Sequence, residues 1–414
     1  MTNRQSTERM PDPRRATEAR ERPVIDTFTS GMANLKWRNV VAGGLYYTGL
    51  LRIMQRISKE FEFQFSGKSS WPRCRRVPSP KFVILCYHRV GVGGVPLYSE
   101  LPGEIFEAQM RYLKKHYRLL SIEEICRGLE NPAGAESGIA ITFDDGYRGV
   151  YEEAFPILNK YQIPTTVFLT VNAIETGQVA WYDRIFLALK VIPKEKLDLE
   201  LDRTRHFSLS SPRERLGVAI EIISCLRRLP DWRRKECCAA IEMQVDLPQE
   251  ELTNRMMNWQ QVQTMRRAGI AFGSHTSSHP VVNQLTSPEM EKELTESKQF
   301  LEAKLDCPVL DFAFPFGQLH DCGLDKTSPV VARCGYRSAS TTVPGVNTLD
   351  VTPFGLLRVQ IGEERNLAMF AFRLNQLFLF ADSSRPRVLP RTDLSFRQYA
   401  GCDQSQVAQG TRNA

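Results

Sequence analysis

No apolar run in this 414-residue chain reaches the roughly twenty residues that a membrane-spanning helix needs. The nearest is Val40 to Met54, about fifteen residues long, interrupted by Gly43, Gly44 and Gly49, with Lys36, Arg38, Arg52 and Arg56 around it. It reads as an amphipathic or packed helix, a candidate for docking on the rest of the protein or for touching an anionic membrane surface. It also starts too far from the amino terminus, behind mixed charges, to read as a cleavable signal. The ten cysteines show neither metal-knuckle spacing nor a disulfide framework, the adjacent Cys237-Cys238 included. They read as reduced thiols, so the expected location is the cytoplasm, with membrane association through the leader as a variant. A cationic body is missing too. The net charge is +7, but residues 1 to 80 hold 15 Lys or Arg against 7 Asp or Glu, which leaves the rest near neutrality. A nucleic-acid face needs its cations on the folded domain, so no nucleic-acid partner is expected.

Two short segments carry the chemistry. Gly138-Ile139-Ala140-Ile141-Thr142-Phe143 is a strand-like apolar run that stops at Asp144-Asp145-Gly146. Gly269-Ile270-Ala271-Phe272-Gly273 is another, giving way to Ser274-His275-Thr276-Ser277-Ser278-His279-Pro280. Alone, Asp-Asp-Gly reads as a solvated turn, and two histidines among serines and threonines as a capped turn. Together they read as a metal site. One carboxylate and two imidazoles hold a divalent ion with a coordination position left for water, and a second carboxylate beside them can take that water's proton. Neighbouring aspartates on a regular strand point to opposite faces, an alternation that relaxes at a strand end, so one can ligate while the other stays free. If residues 275 to 279 form a helical turn, both imidazoles share a face.

These segments resemble the polysaccharide deacetylase (NodB-homology) family of carbohydrate esterases. Its first motif stands here as Thr142-Phe143-Asp144-Asp145-Gly146 and its second as His275-Thr276-Ser277-Ser278-His279, while Phe312-Ala313-Phe314-Pro315-Phe316-Gly317 is similar to the third. The similarity runs from about 81 to about 380. The resemblance implies Asp144 as catalytic base and Asp145, His275 and His279 as ligands of a divalent metal, zinc foremost, with cobalt, iron or nickel fitting as well. Two departures stand out. The family's third motif begins with an arginine that orients the base, and this chain has Ala313 there, so Arg358 or Arg337 would have to serve. The family's late leucine-rich segment ends in a histidine that protonates the leaving amine, whereas Leu356-Leu357-Arg358-Val359-Gln360-Ile361 has none. His88, after the strand-like run Phe82 to Tyr87, is the candidate acid, in an order that resembles circularly permuted relatives. The backbone N–H of Phe316, after Pro315, is the candidate oxyanion donor.

The architecture expected is α/β, a distorted (β/α) barrel with a mostly helical insertion and flexible tails. Strand-like runs lie near 82–87, 139–143, 164–171, 269–273, 309–314 and 336–342, with the chemical residues at their C-terminal ends, where parallel barrels place active sites. The resemblance implies seven strands. Ser287-Pro288-Glu289 reads as a helix start, Met290, Leu294, Leu301 and Leu305 follow at helical spacing, and Pro308 stops it. The expected divisions are a basic leader over 1–78, the deacetylase barrel over 79–385 with the insertion near 175–257, and a polar tail over 386–414. The insertion would either roof the site or pack outside the barrel.

The function expected is metal-dependent hydrolysis of the N-acetyl group of an amino sugar in a polysaccharide, glycolipid or sugar precursor. The alternative is an inactive relative that binds glycans or a partner through the same cleft. An acetylated amino sugar is the expected partner, and the sequence sets no oligomeric state.

Overall fold

The computed structural model describes residues 79–380 apart from 92–99, 248–251, 254 and 363–364, so the leader, its Val40 to Met54 segment and the polar tail lie outside the described residues. Nine strands follow in chain order: β1 (Phe82–Tyr87), β2 (Gly138–Phe143), β3 (Thr165–Leu169), β4 (Lys196–Glu200), β5 (Thr204–Ser208), β6 (Ala271–Ser274), β7 (Asp311–Ala313), β8 (Ser338–Ser340) and β9 (Val359–Gln360). Seven of them form one sheet in the order β8-β7-β6-β3-β2-β1-β9. Every neighbouring pair in it is parallel. A parallel sheet is covered on both faces, which is why β1 is an apolar run and β2 an apolar run with a single threonine, Thr142, both buried along their whole length.

The sheet curls into a distorted barrel, and the segment 354–360 joins its two edges. Leu356 bridges to Ser340 of β8, and Val359 pairs with Leu85 of β1 a few residues later. Side chains of β1 alternate between two apolar groups. Val83, Leu85 and Tyr87 join the large core, while Phe82 and Ile84 meet Leu120, Ile122, Ile125 and Leu356 in a smaller one.

Helices surround the sheet, and their starts are written locally. Ser121 opens helix Ile122–Glu130 with a capping box: its hydroxyl accepts from the Glu124 N–H at 3.1 Å, and the Glu124 carboxylate accepts from the Ser121 N–H at 2.8 Å. Helix Ser287–Leu305 buries Met290, Leu294, Leu301 and Leu305. Its N-cap is Thr286, one residue before the expected start. Glu289 reaches back to the Thr286 N–H at 2.8 Å, a bond that Ser287 is too close to receive.

Between β3 and β6 the chain makes helices Trp181–Val191, Pro212–Leu226 and Asp231–Glu242. It also makes something the helical reading missed: β4 and β5 pair as an antiparallel hairpin, with Leu197 and Leu199 inward and charged residues outward. Five-residue alternation of this kind is masked in sequence by the helical periodicity on either side. Among the described residues no helix is long and apolar enough to cross a membrane, and the eight cysteines are all free.

Candidate active site

The C-terminal ends of the parallel strands converge. His88 follows β1, Asp144 and Asp145 follow β2, His275 follows β6, Phe316 lies beyond β7, Thr342 beyond β8, and Gln360 ends β9. All of them line one cavity of about 170 Å³, together with His279, Tyr182, Arg227 and Gln318.

The strand end separates the two aspartates. Asp145 has φ 72°, in the left-handed region, which breaks the alternation and lets both carboxylates serve the same cavity from different sides. The two histidines do not sit on a helical turn, contrary to that expectation. Thr276 and His279 have φ 69° and 56°, and the loop is held open by Glu293, whose carboxylate accepts the N–H groups of Ser277 and Ser278 at 2.9 and 3.1 Å. The imidazoles still converge. Nε2 of His275 and of His279 lie 3.4 and 3.2 Å from Oδ1 of Asp145. His275 Nδ1 is 2.7 Å from the Ala313 carbonyl, which can only accept, so Nδ1 carries the proton and Nε2 presents its lone pair.

This trio fits a divalent cation. Oδ1 of Asp145 is buried without a hydrogen-bond donor, in company with two ring nitrogens. Ligand atoms about 2.0–2.1 Å from a tetrahedral ion lie about 3.3–3.4 Å apart, close to both separations observed. Burial opposes the charge on Asp145, but the two histidines hold its carboxyl well below the usual range. Burial also works to lower His275, and Asp144 and then Asp145 carry it above its ordinary value. In His279 burial prevails over Asp145 and the value falls.

Asp144 is handled differently. Arg358, with no side-chain exposure, donates from Nη1 and Nη2 to its two carboxylate oxygens at 2.7 and 2.6 Å, and from Nε to the Thr341 carbonyl at 2.7 Å. Burial would raise the Asp144 carboxyl, but Arg358 outweighs it, with His275 helping, and keeps the group below its ordinary value. The Cys86 thiol donates to Oδ2 at 3.5 Å. Of the two arginines considered for the place of the motif arginine missing at Ala313, Arg337 is engaged elsewhere, on Asp311 at 2.9 Å. His88 lines the same cavity, with a ring nitrogen within 4.8 Å of an Asp144 oxygen. Burial lowers the His88 imidazole against the pull of Asp145 and Asp144. The Phe316 ring stands 4.9 Å from that of His279, and its backbone is left-handed at φ 60°.

Sequence reasoning gave no role to Tyr182, Arg227, Gln318, Thr342 or Gln360. Tyr182 donates to Oδ2 of Asp145 at 3.0 Å, and Arg227 lies over the Phe316 ring at 4.4 Å while pairing with Asp321. The run Trp181-Tyr182-Asp183 was the available signal, two aromatics and an acid opening an amphipathic helix.

The family model for polysaccharide deacetylase matches residues 132–206 and 233–339. A polysaccharide deacetylase candidate of Bacillus subtilis, YxkH, is 22% identical over 295 residues, 71% of this chain and 75% of that protein. The poly-beta-1,6-N-acetyl-D-glucosamine N-deacetylase of Staphylococcus epidermidis is 33% identical over 94 residues, 22% of this chain and 30% of that enzyme, so this chain spans under a third of its length. The deacetylase PplD of Streptococcus pyogenes superposes with a TM-score of 0.49 at 20% identity, over 72% of this chain and 98% of that one. His88 and Arg358 fall outside the residues matched to the family model, whereas both aspartates and both histidines fall within them. Through those residues the chain belongs to the polysaccharide deacetylase family.

Proposed function

We propose that this protein is a carbohydrate N-deacetylase that hydrolyses the N-acetyl group of an amino sugar, with Asp145, His275 and His279 holding a divalent cation. The observation that carries the reading is the pairing of Asp144, held ionised by Arg358, with an Asp–His–His cradle on the next residue. When bound, the cation supplies Lewis-acid polarisation of the acyl carbonyl and acidifies a water molecule. Zinc suits two imidazoles and a carboxylate, and cobalt, iron or nickel suit them as well.

The chain's own groups supply the rest. Asp144 takes the proton of the attacking water as the new C–O bond forms, and Arg358 keeps the carboxylate ionised and aimed. The Phe316 N–H donates to the developing oxyanion. His88 gives a proton to the nitrogen as the C–N bond breaks, releasing acetate and a free amine. In this reading Arg358, buried behind Asp144, serves for the arginine absent at Ala313, and His88, which lines the cavity, serves for the absent late histidine.

Size and surroundings point to a chain end or a short saccharide. At about 170 Å³ the cavity is below the roughly 300–1,000 Å³ of pockets that enclose a whole small molecule, and Tyr182 and Arg227 of the insertion wall it on one side. We further propose a cytoplasmic setting, in keeping with the free thiols, in which the substrate is a lipid-linked or nucleotide-linked precursor. The test is acetate release from a panel of N-acetylated amino sugars, free, lipid-linked and polymeric, by metal-loaded protein. Asp144→Asn should retain metal and lose turnover. No acetate from any member of the panel, or an unimpaired Asp144→Asn variant, would falsify the reading.

A further inference from the structure

Three consecutive residues at the start of helix Trp181–Val191 each grip a different part of the site. Trp181 Nε1 donates to the His279 carbonyl at 3.0 Å. The Tyr182 hydroxyl donates to Oδ2 of Asp145 at 3.0 Å. Asp183 receives Arg89, the residue after His88, whose Nη2 lies 2.8 and 2.7 Å from its two oxygens. Tyr147 completes the line, 3.0 Å from the Tyr182 hydroxyl and donating to Asp183 at 2.7 Å. Tyr182 is 2% exposed and Asp183 0%, so these bonds form away from competing water.

The three candidate ligands need separate anchors. His275 has the Ala313 carbonyl on its Nδ1. His279 is fixed through its backbone, the carbonyl by Trp181 and the N–H by the Thr276 hydroxyl at 3.0 Å. Asp145 sits on a left-handed backbone and its Oδ1 accepts no hydrogen bond, so the Tyr182 bond to Oδ2 is what resists a rotation that would carry Oδ1 away from the two nitrogens.

We propose that Tyr182 is a positioning residue for the metal centre: by holding Oδ2 of Asp145 it turns Oδ1 toward His275 and His279. The inference rests on the reading of these three residues as cation ligands and extends it to the insertion, which thereby becomes part of the site. Outer hydrogen bonds of this kind change metal affinity by about 10–100-fold when removed.

The experiment uses the full chain, stripped of metal and titrated with Zn²⁺ against a chromogenic chelator. Tyr182→Phe keeps the ring that packs 5.7 Å from Phe316 and 5.0 Å from His279, so the fold survives and only the hydroxyl is lost. The expected result is zinc binding weaker by about 10–100-fold in a metal-free protein that keeps the parent's circular dichroism spectrum. Tyr147→Phe, which removes a hydroxyl from the same line without touching Asp145, should bind zinc as the parent does. Parental affinity in Tyr182→Phe overturns the inference alone. Equal weakening in both variants also overturns it, assigning the effect to the network and not to the bond on Asp145. A parent that binds no zinc, cobalt, iron or nickel overturns the cation reading itself.

Discussion

Arg358 and Asp144, 214 positions apart in the chain, meet through two parallel hydrogen bonds of 2.7 and 2.6 Å with neither side chain reaching solvent. The forked geometry matters because a guanidinium can satisfy both carboxylate oxygens at once, and an ammonium cannot. The sheet order explains the meeting: β1 lies between β2 and β9, so Arg358, the residue before β9, reaches Asp144 just beyond the C-terminal end of β2, with His88 just beyond that of β1.

Arg358→Lys should therefore retain the fold and lose about 10–100-fold in kcat with little change in KM, since the charge survives but the aim of the base does not. Arg358→Ala should cost about 3–5 kcal/mol of stability, the effect of leaving a buried charge alone. Steady-state kinetics and thermal unfolding check both, and parental kcat in the lysine variant would show that Arg358 is structural only.

His88→Gln should lower amide hydrolysis by about 10²–10⁴-fold, the span of general acid–base contributions. An aryl acetate, whose phenolate leaves without a proton, should be hydrolysed with much less loss. Comparing the two substrates in parent and variant decides the matter, and equal losses on both would remove His88 from the acid role.

Removing the cation with a chelator should abolish activity, and adding Zn²⁺ back should restore it. Zinc at about 100 times its dissociation constant should also stabilise the native state by about 2.7 kcal/mol, readable as a rise in melting temperature. His279→Ala should show neither effect. A melting temperature indifferent to zinc in the parent would count against the Asp–His–His cradle.

The ion pair of Arg89 with Asp183, with side chains 5% and 0% exposed, anchors the insertion beside the site. Asp183→Ala should cost about 3–5 kcal/mol because the buried Arg89 loses this carboxylate. The exposed pair Arg127 with Glu123, by contrast, should contribute little, since solvent screens both side chains. Urea unfolding of Asp183→Ala and Glu123→Ala tests the ranking, which similar losses in the two would reverse.

Acid should weaken the insertion through Asp231. Burial would raise this carboxyl, but Arg234 and Lys235 outweigh it and hold the group below its ordinary value of 3.8. A depressed folded-state value means stability fully present above the ordinary value and lost as pH falls through the lower one. The melting-temperature gap between parent and Asp231→Asn should be present at neutral pH and close below about pH 4. A gap that persists in acid would mean packing, not charge, sets the difference.

The residues of the candidate metal site were legible because short-range patterns mark them: an apolar run of strand length, then a polar cluster, twice. Six of the seven barrel strands were legible for the same reason. The seventh, β9, is two residues long and was noticed only as a leucine-rich stretch. The shape of the histidine loop was not legible, since Glu293, which holds it, comes from the following helix. The choice between Arg358 and Arg337 was equally open, because both follow apolar runs and only their partners differ.

By itself the chain order of residues determined which side chains could do chemistry and that they stand at the ends of parallel strands, since periodicity and motif spacing are local properties. The tertiary structure alone decided which cation faces Asp144, that His88 shares its cavity, and that an insertion helix holds Asp145 through Tyr182. Each of these depends on which strands become neighbours and where a long excursion returns, and contacts between residues tens or hundreds of positions apart leave no periodic trace in the sequence.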